Sequence, residues 1–135
     1  MTSKRKFTQA KDAYLRALAY YTTSKQAIAD QDIQFCKDNG YHYPMWQIED
    51  EAIFTEATSK FQIVLDATGL QDLANEAYDH YVTTKRAFIE VSIDLMPKRY
   101  QTEKESLLKG SAINSTLAQK LLDIALQLNT ETIPT

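Results

Sequence analysis

Phe7, Tyr14, Tyr21, Ile28 and Phe35 recur every seven residues in a stretch, residues 1–39, that contains neither glycine nor proline. Such a repeat keeps large side chains on one side of an α-helix, and the uninterrupted chain lets that helix run on. The pattern predicts a helix from about Thr8 to Lys37, with Ala10, Ala17 and Leu18 flanking a seam suited to a left-handed helix pair or bundle.

Elsewhere the breaks are as informative as the runs. Gly40, Gly69 and Gly110, with the internal prolines Pro44 and Pro97, all fall between helix-forming stretches and never within one. They divide the chain into four, predicting further helices over Pro44 to Ala67 and Gln71 to Met96 and a fourth helical segment over Thr102 to Asn129. The second places Trp46, Ile53, Phe54, Ala57, Phe61, Val64 and Leu65 on one face, and the third does so with Leu73, Ala77, Tyr81, Thr84, Phe88, Val91 and Leu95. The fourth aligns Ile113, Leu117, Leu121, Ile124, Ala125 and Leu128; "TEKE" from Thr102 fits a capping box that starts a short helix through Lys109, after which Gly110 either stops it or lets the chain bend. Hydrophobic residues make up 44% of the 135 positions, enough for one core.

"YTTSKQAIADQDI" from Tyr21 and "YVTTKRAFIEVSI" from Tyr81 lie sixty residues apart and share Tyr, Thr, Lys, Ala and Ile at matching positions. The hydrophobic period alone supplies some of these identities, but Thr23/Thr83 and Lys25/Lys85 owe nothing to it. The expected fold is therefore all-α, an antiparallel up-down-up-down four-helix bundle built as a duplicated helical hairpin. One domain is expected over 1–135, with hairpins at about 8–67 and 71–129 and flexible termini at 1–6 and 130–135.

Residues 1–29 carry six Lys or Arg against Asp12 alone, a balance of +5; residues 30–79 carry eleven acids against Lys37 and Lys60, a balance of −9. Residues 80–120 return to +3. No basic stripe is sustained, which argues against nucleic acid as a partner and for mutually attractive helix faces. A helix-turn-helix reading of 102–129 meets the same objection, since "STLAQKLLDIA" offers only Lys120 for phosphate contacts. The lone Cys36 forms no intrachain disulfide, and "MTSKRKFTQAK" has a basic flank with no apolar stretch after it. A cytoplasmic protein without membrane segments is expected.

Chemistry-bearing constellations are sparse. Glu76 and His80 are spaced by four, not by the three of a di-iron motif, and His42 sits in a loop, so no metal and no cofactor are expected. Cys36 lies on a buried stripe, where an inert thiol is the usual case, and His42 is its one nearby base. No catalytic residues emerge, and the balance leans away from an enzyme.

Asp50, by contrast, falls among Trp46, Ile53, Phe54 and Ala57, where an unpaired carboxylate is costly. It either reaches water at the rim or belongs to a polar pocket inside the bundle, with Tyr14, Tyr21 and His80 as further candidates; Lys25 and Asp32 intrude on the first helix in the same way. The corner "YHYPMW" holds Tyr41, His42, Tyr43 and Trp46, more aromatic surface than a turn needs.

Met45, Ile48, Ala52 and Ile63 on the second helix, and Leu108, Leu122 and Leu126 on the fourth, lie off the main stripes and imply a second surface to cover. The leading expectation is a non-enzymatic interaction protein, a homodimer that binds a protein partner, with Tyr41, His42, Tyr43, Trp46 and Asp50 as the candidate binding residues. The alternative is a module for a small apolar or aromatic ligand held between helices; an enzyme of unknown class ranks third.

Overall fold

The computed structural model describes residues 2–135, and all of their regular structure is helical. The first helix, α1, spans Ser3–Asn39. It ends where Gly40 turns to φ 72°, a left-handed conformation that lets the Tyr41 amide reach back to the Cys36 carbonyl at 3.0 Å. After the corner, α2 covers Glu51–Thr68, and Gly69, also left-handed, is the only residue between it and α3, Leu70–Ile93. Pro97 lies beyond the α3 terminus, as its missing N–H and ring require.

The second helix begins seven residues after Pro44, not at it. Asp50 caps it, its carboxylate accepting from the Ala52 and Ile53 amides at 2.9 and 3.2 Å. Residues 45–47 form a separate 3-10 turn. The fourth segment is divided into α4 (Lys98–Gln101), α5 (Lys104–Leu107), a 3-10 turn (Gly110–Asn114) and α6 (Thr116–Gln127), so the chain does not run as one helix through Gly110. Two causes are visible. The Thr102 hydroxyl donates to the Arg99 carbonyl at 3.3 Å and caps nothing, while Ser115 accepts from the Ala118 amide at 3.1 Å and starts a new helix.

The chain divides into two compact units, and the division falls within α1 and within α3. One unit comprises residues 2–19 and 79–135. Its core joins Phe7 and Tyr14 to Phe88, Ile89 and Ile93, and to Ile113, Leu121, Leu122 and Ala125. Phe7 meets Phe88 at 5.4 Å between ring centroids, and Tyr14 meets Tyr81 at 5.9 Å, so this part of α3 runs antiparallel to α1. Ile133 is buried in the same core, and the Pro134 carbonyl accepts from the Lys4 amide at 2.9 Å.

The second unit, Tyr20–Tyr78, is thinner. Phe35, Cys36, Met45 and Ala57 make its buried centre, with Tyr41, Ile48, Phe61 and Val64 against them. From Phe35 back to Tyr21 along α1, the stacking partner advances from Phe61 to Tyr78. Here α2 and the first turns of α3 therefore follow one another along α1 in the same sense. An up-down-up-down bundle needs a reversal between them, and the single residue Gly69 does not make one.

Candidate interaction surface

The corner between α1 and α2 is assembled by local chemistry. Tyr41 stacks on Phe35 at 5.8 Å, and its hydroxyl donates to Glu56 Oε1 at 3.0 Å. Lys60 Nζ donates to the same oxygen at 2.7 Å. Two donors on one carboxylate hold Glu56 below the usual carboxylate range, with Lys60 the stronger cause, and Glu56 in turn raises Lys60. His42 Nε2 and Gln47 Oε1 are 3.0 Å apart, and the Tyr43–Pro44 peptide is cis.

The 3-10 turn then sorts its side chains. Met45 points inward at 8% exposure while Trp46 points outward at 75%. Tyr43 and His42 are exposed beside it, and Tyr41, Gln47, Ile48, Glu49 and Ile53 border an open concavity of about 400 Å³. Trp46 was expected on the core stripe because helical periodicity was extended back to Pro44. Helical phase does not carry through residues 45–50, so that extrapolation lost its register. Asp50, the apparent misfit of the apolar face, is exposed and occupied in capping.

Of the two apolar faces left over in the sequence, the structure covers one. Leu122 is 2% exposed, and Leu108 and Leu126 pack against the same core. The face expected on the second helix is split: Met45 is buried and Ile48 packs against the small core, while Ala52 and Ile63 stay exposed, and Ile53, expected on the core stripe, is 44% exposed.

The polar-pocket candidates have separate surroundings. Tyr14 is buried beside Tyr81; burial first, then Tyr81 and the charge of Asp123, pushes its hydroxyl up to about 12. Tyr21 belongs to the other unit and meets Tyr78 edge-on at 5.4 Å, and His80 is exposed. Lys25 lies exposed over the Tyr21 ring at 4.5 Å, and Asp32 accepts from Cys36 Sγ at 3.5 Å. Burial, assisted by that bond, raises the Cys36 thiol to about 11. The burial of Lys85 is not visible in the repeat that names it: the residue is only 3% exposed, packs 5.8 Å from the Tyr81 ring centroid and makes no ion pair with a described residue. Its place on the α3 stripe between Tyr81 and Phe88 was the available signal.

Among the described residues, no group of three or more His, Cys, Asp or Glu is placed to hold a metal ion, and no helix is long and apolar enough to cross a membrane. No family model, curated protein or solved structure matches the chain.

Proposed function

We propose that this chain is a non-enzymatic interaction protein that works as a homodimer and binds a protein partner through the α1–α2 corner and the adjoining face of α2. The observation that carries the reading is Trp46, three-quarters exposed in a corner where Tyr43 is also exposed and which leads into a helix that exposes Ile53 and Ile63. Large aromatic side chains on a rigid corner supply contact area at small entropic cost, and Trp and Tyr are the commonest anchors of protein interfaces. Tyr41 and Asp50 support the surface from beneath, one by stacking on Phe35 and the other by capping α2, while His42 borders the concavity.

A duplicated hairpin belongs to the same proposal. Its support is the pairing Lys25 over Tyr21 and Lys85 over Tyr81, the same i, i+4 contact at the sixty-residue offset. The caps of α2 and α6, Asp50 and Ser115, are sixty-five residues apart (115 − 50), so insertions in the second corner are part of the reading. The up-down-up-down bundle is no part of it, because within the second unit α2 and the first turns of α3 follow one another along α1.

The test compares wild type with Trp46→Ala and with Tyr43→Ala as bait, after checking that melting temperatures agree. A protein retained by wild type and lost by both variants supports the reading. Identical retained sets would remove the corner from the binding surface.

A further inference from the structure

The open face of α2 has an order of its own. Ile53, Glu56, Lys60, Ile63 and Ala67 are all exposed, and they are spaced three, four, three and four apart, the a/d spacing of a coiled-coil seam. At about 100° per residue they fall within about 80° of the helix circumference. This stripe is distinct from the buried one of Ala57, Phe61, Val64 and Leu65, so α2 carries two seams and the chain covers one.

We infer that the second seam of α2 is the docking site for α2 of a second copy of this chain, packed antiparallel about a twofold axis level with residue 58. The inference rests on the interaction-protein reading above and names one of its partners. A twofold contact requires that if residue i meets residue j, then j meets i. Here the pairs 53 with 63 and 56 with 60 have the same sum, 116, so one axis satisfies both. Ile53 then lies against Ile63 of the second copy. Glu56 lies against its Lys60, and with the Glu56–Lys60 pair inside each chain the four groups close a ring of alternating charge. A parallel arrangement would set Glu56 against Glu56 and Lys60 against Lys60, and like charges decide against it.

The acidity of residues 30–79 does not oppose this. Glu51 and Asp66 lie off the stripe, whose own charge is zero, and repulsion between exposed acids is screened beyond about 8 Å at physiological salt. Each α2, of 18 residues, is about 27 Å long, too short to reach by itself the roughly 1,200 Å² of a standard interface. The same register carries each corner, with Trp46, toward the start of the second copy's α3, where Leu73 is also exposed. The product is a weak, concentration-dependent dimer.

Charge exchange across the seam tests it, because both residues are exposed and the helix survives their replacement. Sedimentation equilibrium should find wild type dimerising, with Glu56→Lys and Lys60→Glu each weakening the dimer by about tenfold or more through like-charge opposition. The double variant should recover the wild-type constant, and an equimolar mixture of the two single variants should form a heterodimer tighter than either homodimer. Circular dichroism on each variant confirms that helicity is kept. A wild type that stays monomeric at millimolar concentration, or a dimer indifferent to the single reversals or not rescued by the double, overturns the seam. A monomeric wild type that still loses a partner on Trp46→Ala would sink the seam and leave the corner standing. Rescue by the double variant, with Trp46→Ala bait retaining every wild-type partner, would do the reverse.

Discussion

The rings of Tyr14 and Tyr81 lie 5.9 Å apart at 37°, with Tyr14 in a core otherwise built of Phe, Ile, Leu, Met and Ala. Because the folded value, about 12, stands above the ordinary 10, this tyrosine contributes stability that is fully present below pH 10 and is lost as pH rises through 12. Tyr14→Phe should change stability at neutral pH by less than about 1 kcal/mol, because it removes a hydroxyl and leaves the ring contacts in place. It should also remove the last phase of the tyrosinate absorbance titration. A titration unchanged by the substitution would show that Tyr14 ionises with the exposed tyrosines.

Lys85 has the opposite sign. Burial lowers its pKa from the ordinary 10.5, so the unfolded chain binds the proton more tightly and stability rises with pH across the window below 10.5. Desolvating an unpaired ammonium outweighs one aromatic contact at 5.8 Å, so Lys85→Met should stabilise the protein at pH 7 by about 1 kcal/mol. That gain should shrink as pH approaches 10.5. Paired thermal melts at pH 7 and pH 10 measure both; a loss at pH 7 would reveal a counter-charge in solution.

Neighbours in the corner should respond differently to truncation. Asp50→Ala removes the acceptor for two amides and should cost about 1 kcal/mol. Trp46→Ala removes a side chain that is 75% exposed and should stay within about 0.5 kcal/mol of wild type. Denaturant unfolding orders the two, and a costly Trp46→Ala would mean that the indole packs against its own chain.

Cys36 should be silent to thiol reagents. It is 1% exposed and its thiol stands at about 11, so roughly one molecule in a thousand carries a thiolate at pH 8 before access is considered. Alkylation should track global unfolding in denaturant, and rapid labelling of native protein would show local opening at the end of α1.

The residues of α1 announced their structure because a seven-residue repeat and an unbroken run of helix formers point to the same answer. The corner was legible in kind but not in detail. Pro44 suits a helix start, yet Asp50 offers two hydrogen bonds where Pro44 offers only a fixed φ, and so the start moved by seven residues and turned Trp46 outward. The four-part division of the chain was read from Gly and Pro, which mark where helices stop but not which way the chain leaves. Direction after Gly69 depends on which residues of α1 take Phe61 and Tyr78, a nonlocal matter that periodicity does not encode. Lys85 reads in the sequence as a repeat position that owes nothing to the hydrophobic period, yet it is buried, because only packing distinguishes a lysine at the rim from one in the interior.

One oxygen, Glu56 Oε1, accepts from both Tyr41 in the corner and Lys60 on the helix face. An occupant of the corner that draws the Tyr41 hydroxyl away leaves that oxygen to the lysine alone, and a lysine drawn off by a neighbour leaves it to the tyrosine. Occupancy of either place thus alters the free energy of filling the other, by the same factor in both directions, as reciprocity between linked sites demands. On the proposed reading, the tip of the hairpin and the flank of its second helix are therefore linked sites, joined through one carboxylate oxygen.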